Sequence, residues 1–113
     1  RFMKNSQLYK GSLNTIIMKL LEEQGRMYGY EITQKVKDIT KGELNITEGA
    51  LYPALHKLEA EGLLDVEVEK VDNRLRKYYK LTEKGTKETV NRLAELEEFI
   101  KNMQTIVNPK LSY

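Results

Sequence analysis

The chain has 113 residues, 32% of them charged and 40% hydrophobic, with a net charge of +2 at pH 7, which is one domain with a thin core. It has no cysteine and a single histidine, His56, which removes disulfides, thiolate nucleophiles, cysteine zinc sites and multi-histidine metal centres. No apolar run nears the ~20 residues of a membrane span, and the polar start from Arg1 to Lys10 lacks the apolar stretch of a secretory signal, so a cytoplasmic protein with no metal and no cofactor is expected.

From Leu13 the apolar residues fall at Leu13, Ile16, Ile17, Leu20 and Leu21, the stripe of an amphipathic helix that Gly25 ends. Leu8, five residues upstream, leaves room for an earlier start. A second helix is expected from about Tyr28 to Ile39, with Ile32, Val36 and Ile39 on one side and Gly42 closing it; Tyr28 and Tyr30 near its start are expected to make core or backbone contacts. Glu43 to Ile46 alternates polar and apolar as a short extended connection.

Thr47 is placed to cap a third helix, with Ile46 packing on Leu51 as a hydrophobic staple. Leu51, Leu55 and Leu58 form its buried stripe and Gly62 its end. Pro53 lies inside this helix, where it removes one backbone hydrogen bond and crowds the carbonyl of Gly49, so a kink or a later start competes with a continuous helix.

The period then changes to two. Leu64, Val66 and Val68 alternate with Asp65, Glu67 and Glu69, and Arg76, Tyr78 and Lys80 alternate with Lys77, Tyr79 and Leu81, which is a β-hairpin with a polar turn. Pairing sets the acids of one strand against the bases of the other, and Tyr79 is expected to be buried. Thr82 caps a last helix in which Thr86, Thr89, Leu93, Leu96, Ile100, Met103 and Val107 repeat at heptad spacing, before Pro109 stops it. At 1.5 Å per residue it reaches about 37 Å, too long for this small chain to cover.

The resulting fold class is mainly α with a small β-hairpin: a winged helix-turn-helix over 1–81 and a C-terminal dimerisation helix with its tail over 82–113. Turning the third helix so that its leucines point inward places Gly49, Pro53 and His56 outward with Tyr52 and Lys57 beside them. Together with Thr47 these are candidate contacts to bases and phosphates. The wing adds Arg74, Arg76, Lys77 and Tyr78, cations interleaved with aromatics that suit a phosphate backbone. Leu93, Leu96, Ile100, Met103 and Val107 are the candidate homodimer seam. His56 has no nucleophile beside it, and no catalytic residue is assigned.

Charge is blocked along the chain: +4 in residues 1–20, −6 in 43–69, +5 in 70–92 and −1 in 93–113. The basic arm and wing point to double-stranded DNA. The acidic middle, which includes the third helix, keeps a protein-interaction module without specific DNA binding as the alternative.

Three segments carry a family resemblance. Thr47-Glu48-Gly49-Ala50-Leu51-Tyr52-Pro53-Ala54-Leu55-His56-Lys57-Leu58-Glu59-Ala60-Glu61-Gly62-Leu63 resembles the recognition-helix signature of the PadR family of bacterial transcriptional regulators. Tyr28-Gly29-Tyr30-Glu31-Ile32 and Arg76-Lys77-Tyr78-Tyr79-Lys80-Leu81-Thr82 resemble its second-helix and wing motifs, so the likeness runs from about Leu8 to Gly85. It implies a winged-helix DNA-binding regulator, in short members with one long C-terminal helix for dimerisation, and a helix that runs through Pro53. It also implies a homodimeric repressor on a pseudo-palindromic operator, with a small-molecule effector whose identity the sequence does not give. Asp72-Asn73-Arg74-Leu75 stands where the family's wing often has Gly and Pro, which leaves the loop shape open. The chain has no Trp, so the family's binding of flat aromatic drugs between Trp residues is not carried over.

Overall fold

A computed structural model describes residues 9–111. Residues 1–8, with Arg1 and Lys4 of the basic arm, most of the stretch read for a secretory signal, and Leu8 as an expected helix start, lie outside the described residues. Helix α1 is Leu13–Gln24, with Ile17, Met18, Leu20 and Leu21 buried. Strand β1 follows at Arg26–Tyr28, then helix α2 at Gly29–Ile39 and helix α3 at Glu48–Ala60. Strands β2, Leu64–Val71, and β3, Arg74–Leu81, make the wing, and helix α4 runs from Glu83 to Val107. A short 3-10 turn at Pro109–Leu111 ends the described chain.

The sheet has three strands in the order β1-β3-β2, all antiparallel. The hairpin alone was expected. Strand β1 escapes a periodicity reading because three residues cannot show a period of two, and its partner strand, which pairs Arg26 with Lys80 and Tyr28 with Tyr78, is distant in sequence. Tyr28 consequently ends a strand rather than opening a helix, and α2 starts at Gly29, where the Glu31 carboxylate accepts the Tyr28 N–H at 3.0 Å.

One core joins α1, α2, α3 and the three strands. Ile17, Met18, Leu21, Ile32, Leu51, Leu55, Leu58 and Tyr79 are its innermost side chains, with Ile46 and Leu44 packed on its edge. Ile39, placed with Ile32 and Val36 by spacing, is instead 59% exposed. Helix α2 stops there: Thr40 turns its hydroxyl back to the Val36 carbonyl at 2.8 Å, and the last turn projects past the core. Helix α3 is continuous through Pro53, whose missing N–H frees the Gly49 carbonyl on an exposed stretch of the helix, where water can replace it.

Two turns set the geometry around α3 and the wing. After α3, Gly62 adopts a φ of 79°, and the N–H groups of Gly62 and Leu63 donate to the carbonyls of Glu59 and Leu58, a Schellman ending. At the wing tip Asp72 and Asn73 both take positive φ, 50° and 63°, between the paired residues Val71 and Arg74. This is the two-residue primed turn whose twist matches the flanking strands, and it supplies the loop shape that the sequence left open.

Helix α4 packs its first half along α1 of the same chain. Thr89 is fully buried, its hydroxyl donating to the Gly85 carbonyl at 2.7 Å, and Leu93 and Leu96 are half-buried. The heptad seam is therefore divided: its early positions serve the chain's own core, apart from exposed Thr86. The second half is uncovered.

Candidate nucleic-acid interface

Thr47 caps α3, its hydroxyl accepting the Ala50 N–H at 3.2 Å, and this fixes the rotation of the helix. Thr47, Gly49, Pro53, His56 and Lys57 lie on the outward side that the leucine stripe dictated, all of them exposed, with Thr47 at the cap. Tyr52 behaves differently. Its phenol lies against Gly29 at the start of α2, filling the space a side chain there would need, and it lies tilted beside His56 with ring centroids 6.4 Å apart. Tyr52 therefore buttresses α2 on α3 with one edge and presents the other, 37% exposed, to solvent.

Alternation divides the wing between two faces. Tyr79, Met27 and Leu64 point into the core. Burial pushes the Tyr79 phenol above its usual range, with Glu59 and Tyr52 adding to the effect, so it stays neutral beneath the recognition helix. On the other face a ladder crosses all three strands. The Arg76 guanidinium sits 4.1 Å over the Tyr28 ring, the Tyr28 and Tyr78 rings meet edge-to-face at 5.5 Å, and Arg26 lies 4.1 Å over Tyr78. Arg26 also bonds Glu67 at 2.8 Å and Glu69 at 2.6 Å, and Lys80 bonds Glu67 at 2.6 Å. Hydrogen bonds from Lys80 first and Arg26 second hold the Glu67 carboxyl below the usual carboxylate range. The bonds to Glu69 first and Glu67 second raise Arg26, and the bond to Glu67 raises Lys80.

The expected DNA contacts thus separate by what they touch. Arg76 and Tyr78 are engaged in the ladder, and half-buried. Arg74 and Lys77 are exposed, and among the described residues no carboxylate pairs with them or with Lys57. The acids meet the bases as the alternation suggested, but diagonally: Glu67 lies opposite Tyr78 and pairs with Lys80. Arg26, the centre of that network, was not singled out from the sequence, because nothing local marks β1 as a strand.

A second set of contacts ties the end of α3 to the start of α4. The Thr82 hydroxyl donates to the Gly62 carbonyl at 2.7 Å and accepts the Gly85 N–H at 2.9 Å. The Thr82 N–H donates to the Leu63 carbonyl at 3.0 Å, and the Lys84 ammonium reaches the Glu61 carbonyl at 2.9 Å. Gly85 presses on the Leu63 carbonyl so closely that no Cβ fits there. The recognition helix and the long helix are joined through backbone, not through a loose linker.

Three helices, a three-stranded sheet with a projecting hairpin and a long final helix define a winged helix-turn-helix protein of the regulator type. The Transcriptional regulator PadR-like family model matches residues 17–91, and an uncharacterised protein of Lysinibacillus sphaericus is 35% identical over 102 residues, covering 87% of this chain and 93% of that protein. The chain belongs to the PadR-like family of transcriptional regulators. Among solved structures, a transcriptional regulator from Clostridium thermocellum superposes with a TM-score of 0.83 at 31% identity, over 90% of this chain and 99% of that one. Bacillus subtilis PadR, solved in complex with operator DNA, superposes with a TM-score of 0.64 at 29% identity, over 72% of this chain and 46% of that longer one.

Proposed function

We propose that the chain is a homodimeric, cytoplasmic repressor that binds a pseudo-palindromic operator in double-stranded DNA and answers to a small-molecule effector. One observation carries the DNA reading: Lys57 on the recognition helix and Arg74 and Lys77 on the wing are exposed and lack a carboxylate partner among the described residues, while the neighbouring cations Arg26 and Lys80 are paired within the chain. Unpaired cations at these two places suit phosphates on either side of a major groove entered by α3. That the Bacillus subtilis relative was solved in complex with operator DNA supports DNA as the partner. The acid of residues 43–69 speaks less for a protein partner than its sum suggests, since Glu67 and Glu69 are drawn into the sheet and Glu61 lies 3.9 Å from Arg92.

Dimerisation is supported by the second half of α4, where Phe99, Ile100, Met103, Ile106 and Val107 are exposed. A partner helix on this face buries them, and Leu93 and Leu96 continue the seam inward. Residues 1–81 then act on DNA and 82–113 on the partner, although α1 of the first packs along α4 of the second. A shallow groove between α1 and α4, lined by Thr15, Arg92, Glu95, Leu96 and Phe99, is where a second chain encloses space for an effector. A ligand that prefers one arrangement of the two wings shifts the population and the DNA affinity.

Footprinting on the DNA upstream of the chain's own gene tests the proposal. Protection of two half-sites about one turn (10–10.5 bp) or a multiple of it apart is expected. Weak, sequence-independent binding at physiological salt defeats the operator claim.

A further inference from the structure

We infer that Leu75 is an apolar contact to the minor groove of DNA at the wing tip, a specificity-determining residue of operator binding; the inference rests on the operator-binding reading above. Leu75 is 78% exposed, as open to solvent as any large apolar side chain described, and it lies on the wing strand and not on the α4 seam. It pairs with Lys70 two positions from the tight Asp72–Asn73 turn, so its place is set by hairpin register and not by a floppy loop.

Strand alternation gives it a direction. Leu75, Lys77 and Tyr79 share one face of β3, and Tyr79 is buried on the helix side of the sheet. Leu75 and Lys77 therefore stand on that same side, further out, where with Tyr52 and Gly29 they line the cleft between wing and recognition helix. Val68, cross-strand from Lys77 and 54% exposed, extends the apolar surface. Arg74 and Arg76 belong to the opposite face of the strand. The result is a small apolar ridge with Lys70 and Lys77 on its own face and Arg74 beside the turn.

A ridge of that kind fits a groove with apolar walls and anionic rims. The minor groove is about 6 Å wide, walled by sugars and edged by phosphates, and leucine is among the side chains that proteins wedge into it. A protein partner of ordinary composition offers no such pair of anionic rims. G·C pairs place the guanine N2 amine on the groove floor, which an apolar side chain meets poorly. The ridge thus selects A·T-rich or amine-free sequence beside each half-site.

The test uses the full-length protein and a duplex that it selects from a random pool. Guanines placed in the wing-facing flanks are compared with inosines, which lack the N2 amine. Wild type is expected to bind the inosine duplex several-fold more tightly. Leu75→Ala and the equally long but polar Leu75→Gln are expected to lose about tenfold in affinity or more. Both should keep the wild-type salt slope, because the phosphate-binding cations are untouched, and neither should prefer inosine. Since the side chain is exposed, the melting curves should be unchanged. If Leu75→Ala binds and discriminates like wild type while Arg74→Ala/Lys77→Ala binds weakly, the operator reading stands and Leu75 is not a contact. If wild type selects no duplex at all, both fall.

Discussion

Replacing Gly29 by alanine should be destabilising in this protein and harmless once Tyr52 has been removed. Gly29 opens α2 with an ordinary helical φ, so alanine can adopt its backbone, and helix propensity alone favours alanine by up to about 1 kcal/mol. The opposing effect is space. A Cβ there overlaps the Tyr52 hydroxyl and comes within 2.9 Å of Cζ and 3.1 Å of Cε1. Overpacking of this kind costs about 1–3 kcal/mol. The obstacle is the end of a side chain that is 37% exposed, so it can swing aside, which puts the loss at about 2 kcal/mol, below the top of that range. Net destabilisation of about 1 kcal/mol is expected for Gly29→Ala, and a neutral or slightly stabilising effect in a Tyr52→Ala background. Urea unfolding of the four proteins in a double-mutant cycle should show a coupling of about 1–2 kcal/mol. Equal effects of Gly29→Ala in both backgrounds would refute the packing argument. The variant should also bind DNA less well than its stability implies, since the displaced phenol lies on the recognition face.

At Gly85 the obstacle is the Leu63 backbone carbonyl, which cannot swing away, so Gly85→Ala should cost about 3 kcal/mol, at the upper end of overpacking, and lower the melting temperature accordingly. At the wing tip Asn73→Val should cost about 1–2 kcal/mol because a β-branched residue resists positive φ, whereas Asn73→Gly should not; thermal melts decide it. The Glu67 carboxyl lies below its usual range when folded, so its stabilisation is present above an unfolded value of about 4.3 and lost as pH falls through the lower folded value. Near-UV circular dichroism of Tyr28 and Tyr78 should therefore stay constant down to about pH 4 and change below it, and Glu67→Gln should remove that transition. Ile100→Glu with Met103→Glu should convert a dimer to a folded monomer in light scattering at micromolar concentration; an unchanged mass would place the dimer contact elsewhere.

The parts of the fold legible in the sequence were those written in local periodicity. The Leu51, Leu55 and Leu58 stripe oriented α3 and left Gly49, Pro53, His56 and Lys57 outward, and alternation around Tyr79 placed it inside. What escaped depends on pairings distant in sequence. Arg26 and Tyr28 become a strand only because Lys80 and Tyr78 lie beside them, and that pairing takes Arg76 and Tyr78 into the ladder on the far face. The heptad seam showed that α4 was apolar along one side, but not that α1 of the same chain covers its first half. Ile39 kept the spacing of a core residue and missed the core because its helix ends in the next turn.

The central claim is that unpaired cations on the recognition helix and wing bind the backbone of a specific operator. It is tested most directly by titrating wild type and Arg74→Ala/Lys77→Ala against selected and scrambled duplexes over a range of salt. Wild type is expected to prefer the selected duplex by about a thousandfold or more. The variant is expected to bind both duplexes more weakly, with the slope of log affinity against log salt flatter by roughly one for each phosphate left without its cation. Equal affinity of wild type for the two duplexes, or a salt slope unmoved by the substitutions, would contradict the claim.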